Sequence, residues 1–154
     1  VLEELIDALL VKFHKHHPGK TVRLEIPEEF ISIPMDAMLM EQVLINILEN
    51  AMIHAKGMEN LRLSVACRDG FAHFSVTDDG CGIAPERMAQ LFTGYLDRAN
   101  GPADVGRSNM GIGLSVCRTI IKAHGSELKA RNRPDGGASF SFSLEMEEME
   151  NVEQ

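Results

Sequence analysis

Two runs of alternating residues on either side of a tight turn are what most constrain this chain. Leu61, Leu63, Val65 and Cys67 mark one period-2 run, Phe71 to Val76 a second, and Arg68-Asp69-Gly70 stands between them. Alternation sends one set of side chains to one face of a sheet. Asp-Gly supplies the positive backbone angles that a short hairpin turn demands. The middle of the chain is thereby committed to an antiparallel hairpin. Further strands are expected at Thr21 to Ile26, through Val22, Leu24 and Ile26, at Glu127 to Arg131, and at Ala138 to Leu144, through Phe140, Phe142 and Leu144.

Helical spacing accounts for most of the rest. Leu2, Leu5, Ile6, Leu9 and Phe13 form one stripe, closed by Pro18-Gly19. His14, His16 and His17 at its end invite a metal reading, but a polar helix terminus favoured by the dipole explains them better. Asp36 is placed to cap a long helix running to about Ala55. Pro85 opens a short helix expected through Phe92, and Gly111-Ile112-Gly113 leads into one ending near His124, stopped by Gly125. Between Thr93 and Asn109 the periodicity is lost and Gly94, Gly101, Pro102 and Gly106 accumulate, which reads as a long mobile loop of functional use. Hairpin strands with helices gathered elsewhere predict an α+β, two-layer fold: a mixed, mostly antiparallel sheet covered on one face by helices.

Composition narrows the function. The 154 residues suit one domain, expected over 1–144, followed by an acidic tail over 145–154 with five glutamates in ten residues, expected to be solvated and frayed. The formal charge of −8 argues against nucleic acid, which calls for a basic surface. No stretch approaches the roughly 18 apolar residues of a membrane span. The opening VLEELIDALL lacks a basic leader and reads as a cut at a domain boundary. Cys67, Cys81 and Cys117 match no metal spacing and imply a reducing compartment, each read as a buried free thiol.

Three polar groupings carry chemistry. Asn46 and Asn50 are four apart on the long helix, so both amides leave one face, bounded by Val43, Leu44, Ile47, Leu48 and Ala51. An amide oxygen there suits a hard cation such as Mg²⁺ shared with water and phosphate; the bland alternative is a solvated face. Asp78-Asp79-Gly80-Cys81-Gly82 follows an apolar strand. An ionised Asp78 accepts only, so its partner is a donor such as an exocyclic amine, and the glycines let a ligand approach the backbone. A tight turn with a capping aspartate is the competing account. Gly111-Ile112-Gly113-Leu114 opens a helix whose free N–H groups attract phosphate. Without Gly-Lys-Ser/Thr it is no Walker loop, and it lacks the surroundings of a dinucleotide fingerprint.

Order and spacing join these groupings. Glu41 to Ala51 resembles the N box of sensor histidine kinases, and Asp78 to Ile83 their first glycine box. Leu91-Phe92 with Tyr95 resembles their F box, and Gly111 to Leu114 their second glycine box. Val116 to Gly125 and Gly136 to Phe140 are similar to the same family, so the resemblance spans about Val1 to Leu144. Ile33 to Asp36 and Asn132-Arg133-Pro134 resemble its osmosensing, potassium-uptake (Kdp-type) branch. The resemblance implies a Bergerat-type ATP-binding fold, shared with gyrase, a heat-shock chaperone and mismatch-repair ATPases. It implies ATP and Mg²⁺ as cofactors, with Asn46 on the metal and Asn50 on phosphate. Asp78 would accept from the adenine amine while Gly80 and Gly82 shape the base pocket. His54, Ile83, Arg98, Gly111, Ile112, Gly113 and Leu114 complete the implied binding set, and residues from about Thr93 to Met110 would form a lid.

The implied activity is that of a histidine kinase catalytic domain, passing the γ-phosphate to a histidine on a separate dimerisation domain. No such histidine is recognised here, since His54 lies within the N box and His124 ends a helix, so the isolated fragment is expected not to autophosphorylate. A response regulator would be reached through the full-length kinase, a membrane-anchored bacterial sensor whose cytoplasmic domain this is. Departures from the family pattern are Ile53, Gly94 and Asp97 where cations are common, and Asn109 where glycine is. They keep open a degenerate nucleotide-binding module without phosphotransfer. A third reading, another ATPase of the superfamily, would want a base where Gln42 stands.

Overall fold

Asp69 (φ 57°) and Gly70 (φ 83°) both adopt the left-handed backbone, and around them β2 (Leu61–Arg68) and β3 (Phe71–Asp78) pair antiparallel in unbroken register. This is the hairpin that the alternation and the Asp-Gly pair predict. The computed structural model describes residues 1–54, 57, 60–92 and 113–147, with His54 described in its backbone only. Among these residues β1 (Val22–Glu25), β2, β3, β4 (Lys129–Asn132) and β5 (Ala138–Glu145) form one sheet in the order β1-β2-β3-β5-β4. Only β1 and β2 run parallel, and α2 (Ala37–His54) lies between them in the chain.

Period 2 decides which face is buried. Leu61, Leu63, Val65, Ala72, Phe74, Val76, Phe140, Phe142 and Leu144 are buried. Their alternates His73, Ser75, Thr77, Ser141 and Ser143 are only partly covered. Phe74 and Phe142 sit opposite each other and stack with ring centroids 4.9 Å apart, which pins the β3–β5 register. The helices α1 (Leu2–His16), α2 and α4 (Leu114–Ala123) collect on the apolar face, as expected for two layers.

α2 is the most enclosed helix. Every residue from Val43 to Glu49 is buried, because α1 flanks it on one side, α4 on the other, and the sheet lies beneath. Asp36 caps it as expected, its Oδ1 accepting the Leu39 N–H at 3.0 Å. His124 Nε2 accepts the Asp36 N–H at 3.1 Å and so ties the start of α2 to the end of α4. Gly125 (φ 80°) reverses the chain there.

Several boundaries differ from expectation. The helix α3 (Pro85–Ala89) ends three residues early, because Gln90 and Leu91 turn tightly onto Arg87 and Met88 and leave Leu91 to bury itself. β4 starts later than expected, after Ser126 has spent its hydroxyl on the Ser143 N–H at 3.2 Å. β5 runs through Glu145, and Glu147 still bonds Ser32 through both its N–H (2.9 Å) and its carboxylate (2.6 Å). Residues 148–154 lie outside the described ones. Cys117 is buried and Cys67 half-buried, where burial first and Glu29 second push its thiol pKa up, but Cys81 is exposed, contrary to the expectation of a buried thiol. No helix among the described residues is long and apolar enough to cross a membrane.

The histidines at the end of α1 have a structural use. His17 lies on Phe13, with ring centroids 4.9 Å apart, and its Nε2 meets Glu49 Oε2 at 3.0 Å. Glu49 is 4% exposed and its other oxygen is buried without a partner, so His17 is what makes the carboxylate tolerable between α1 and α2. Among the described residues no cluster of metal-binding side chains occurs. His17→Ala is expected to lower stability by about 2–3 kcal/mol in urea unfolding, since it strands a buried carboxylate. Replacing His17 and Glu49 together by leucine should lose much less; equal losses would refute this account of the pair.

Candidate functional site

β3 ends on Asp78, whose side chain is 4% exposed because β5 on one side and the following turn close over it. Among the described residues the carboxylate bonds through Oδ1, which accepts the Gly80 N–H at 2.9 Å and the Ala138 N–H at 3.3 Å. Two backbone donors make a buried carboxylate affordable and leave Oδ2 for the space beside it. The capping-turn reading of Asp78-x-Gly80 is therefore realised, without using up the group. Asp79 does a different job: its two oxygens take the Asn60 N–H at 2.9 Å and the Asn60 Nδ2 at 2.8 Å, fastening the approach to β2.

The turn between β4 and β5 is packed against this aspartate. Asn132 grips Ile83 in both directions, its Oδ1 accepting the Ile83 N–H at 2.7 Å and its Nδ2 donating to the Ile83 carbonyl at 2.9 Å. Arg133 donates from its guanidinium to the Asp78 carbonyl at 3.1 Å and to that of Gly136 at 3.3 Å. Gly137 (φ 89°) runs so close that a Cβ there would lie 2.0 Å from the Asp78 carbonyl oxygen. Gly82 (φ 82°) is needed for a similar reason, because a Cβ would come within 2.9 Å of Asn132 Oδ1.

Beside Asp78 the described residues outline a narrow recess of about 10 Å³. Gly82, Ile83, Ala138 and Phe140 give it apolar walls, Asp78 and Asn50 bring polar groups, and Arg87 of α3 brings a guanidinium. Phe92 packs edge-on against Phe140 at 6.4 Å and supports that wall. Polar and apolar groups meet around it in about equal measure. One acceptor-only carboxylate in its wall selects for a ligand edge that donates.

One turn before Asn50, Asn46 faces α4 instead of solvent. It is 9% exposed, and its Nδ2 points at Cys117 Sγ, 3.4 Å away. Turning the nitrogen to sulfur leaves the amide oxygen, the hard donor that Mg²⁺ prefers, as the group able to face a ligand. Cys117 is in the first turn of α4, so Asn46 lies beside the helix start that Gly113 caps through its backbone. No side chain caps that start among the described residues, and Leu114 behind it is buried. The structure thus brings Asn46 to the start of α4, and Asn50, Asp78, Gly82 and Ile83 to the recess. Gly80 stands behind, bonded to Asp78. Arg98, Gly111, Ile112, the expected lid and the His54 side chain lie outside the described residues. Ile53 is half-buried near the end of α2.

Residues 35–148 match the family of histidine kinase-, DNA gyrase B-, and HSP90-like ATPases. The chain belongs to that family. Sensor protein KdpD of Escherichia coli (strain K12) is 31% identical over 155 residues, covering 99% of this chain and 17% of its own length. Adaptive-response sensory kinase SasA of Microcystis aeruginosa is 34% identical over 146 residues, covering 93% of this chain and 37% of its own length. The chain therefore spans well under half of either relative. The nucleotide-free catalytic domain of histidine kinase ThkA superposes with a TM-score of 0.74 at 26% identity, covering 94% of this chain and 91% of that one. Within the ATPase family, then, this is the ATP-binding domain of the sensor histidine kinase type.

The family resemblance covered Cys117, Asn132, Arg133 and Gly137 but gave none of them a role, and it did not single out Arg87. One signal was available in the sequence. Asn132 closes β4 at an exposed position, directly before the Arg133-Pro134 turn, where a side-chain amide is free to bond a neighbouring loop. Gly137→Ala is expected to cost at least about 3 kcal/mol in chemical denaturation or to prevent folding, because backbone must move to admit the methyl. Gly136→Ala, at φ 108° with nothing within 4 Å, should cost only about 1 kcal/mol of backbone strain. Equal effects at the two positions would contradict the packing of this turn on Asp78.

Proposed function

We propose that this domain binds Mg-ATP and serves as the catalytic half of a sensor histidine kinase, donating the γ-phosphate to a histidine on a separate dimerisation domain. The observation that carries the reading is the buried Asp78 carboxylate, which lines the recess and is held at Oδ1 by two backbone N–H groups. Adenine presents an exocyclic amine to such an acceptor, whereas guanine presents a carbonyl at the equivalent ring edge. Asn50 at the recess and the N-terminus of α4 beside Asn46 lie on the way from base to phosphates along α2. Four residues of helix separate the two asparagines by about 6 Å. Mg²⁺ would be held by the Asn46 amide oxygen together with phosphate oxygens and water, neutralising charge on the triphosphate. Cys117, by taking the nitrogen, keeps that oxygen turned outward.

The attacking imidazole needs no general base when it is neutral, so Gln42 is no obstacle to phosphotransfer. Arg87 supplies one positive group at the recess, which offsets in part the cations missing at Ile53, Gly94 and Asp97. In the parent protein the domain would lie on the cytoplasmic side and act on a response regulator through the dimerisation domain, without membrane or nucleic-acid contact of its own. A nucleotide-binding module without phosphotransfer would keep the same recess. Labelling from radioactive ATP, with a histidine-bearing helical domain added in trans, separates the two.

Calorimetric titration tests binding itself. ATP should bind more tightly with Mg²⁺ than with chelator, GTP should bind at least about tenfold more weakly, and Asp78→Asn should lose on the order of tenfold in ATP affinity. Equal affinities for ATP and GTP, or an unaffected Asp78→Asn, would overturn the assignment of the recess to adenine.

A further inference from the structure

We infer that Asn132, a residue of the edge strand, is a positioning residue that sets how well the recess grips a nucleobase. This deepens the proposed function and rests on it. The recess has two polar-to-apolar walls: the Asp78 carboxylate, and the Gly82–Ile83 segment that follows the turn. A planar ring is held only if the spacing between these walls is fixed. The Ile83 side chain is held by burial in the core, but among the described residues no backbone hydrogen bond from the turn or from α3 holds its main chain. What fixes it is the Asn132 amide, which replaces a strand partner by accepting from the Ile83 N–H at 2.7 Å and donating to the Ile83 carbonyl at 2.9 Å.

The other wall is tied to the same piece of chain. Arg133 holds the Asp78 carbonyl at 3.1 Å, and the Ala138 N–H holds Asp78 Oδ1 at 3.3 Å. Residues 132–138 therefore act as one staple across both walls, with Asn132 holding the main chain of the wall whose side chain the core already buries. Gly82 is shaped to it, since any Cβ would strike Asn132 Oδ1 at 2.9 Å. A primary amide offers an acceptor and a donor side by side, matching the N–H and C=O of a single residue's main chain. Asn132 does not line the recess, so its effect passes through Ile83.

Base and phosphates can be probed apart, with adenosine for one and inorganic tripolyphosphate for the other. In Asn132→Ala the 154-residue chain should lose on the order of tenfold in adenosine affinity, with tripolyphosphate binding unchanged within about twofold. Asn132→Asp, which keeps the acceptor but opposes the Ile83 carbonyl with a second one, should be no better than alanine. If alanine fails to fold in a urea melt, Asn132→Ser, which keeps a polar group of smaller reach, should give the same adenosine-selective loss. Adenosine affinity unchanged in the folded variants, or an equal loss of both probes, would overturn the inference. A wild-type chain that binds no adenosine would instead defeat the proposed function itself, which separates the two failures.

Discussion

A carboxylate held at 4% exposure must be paid in hydrogen bonds, and Asp78 receives them from two backbone N–H groups on different elements. Gly80 belongs to the turn that leaves β3, and Ala138 is the first residue of β5. The second donor exists only because β5 lies next to β3 in the sheet, although three elements among the described residues and more than fifty residues intervene in the chain. The sheet order is thus a condition of the site. The Phe74–Phe142 stack, four residues back along β3, holds the register that places Ala138 opposite the end of that strand.

α2 carries this constraint to the opposite layer. Burial of its stretch from Val43 to Glu49 leaves little room for sliding, and three polar residues around it each meet a fixed neighbour. Glu49 meets His17 of the α1 terminus, Asn46 meets Cys117 of α4, and Asn50 reaches the recess. One helix therefore reports to three places through three side chains within two turns. Small rotations of α2 would change all three contacts together, which favours a helix that is either seated or displaced as a unit.

Much of this was legible from residue order. The Asp69-Gly70 turn, the alternation in β2, β3 and β5, and the Asp36 cap are local signals, and local physics realises them. Asp78 was legible as a shielded acceptor because an apolar strand precedes it. What could not be read was which distant groups would meet. Asn132 finds Ile83 across 49 positions, Arg133 finds the Asp78 carbonyl across 55, and His17 finds Glu49 across 32. Such contacts follow from topology and carry no periodic signature. α3 stopped short because Leu91 gains more by burial than by continuing a helix, and Cys81 is exposed because its turn projects outward. Asn46 was legible as a polar residue on α2, while its burial depended on α4 packing there.

The central claim is that Asp78 is a preorganised acceptor whose two donors stay in place while a ligand takes the free oxygen. Amide-resolved nuclear magnetic resonance during an adenosine titration tests this directly. The Gly80 and Ala138 amides should shift together with Ile83 and saturate on one binding curve, while amides on the outer sheet face, such as those of His73 and Ser143, stay unmoved. Saturable binding that leaves Gly80 and Ala138 unperturbed and moves residues elsewhere would contradict the account.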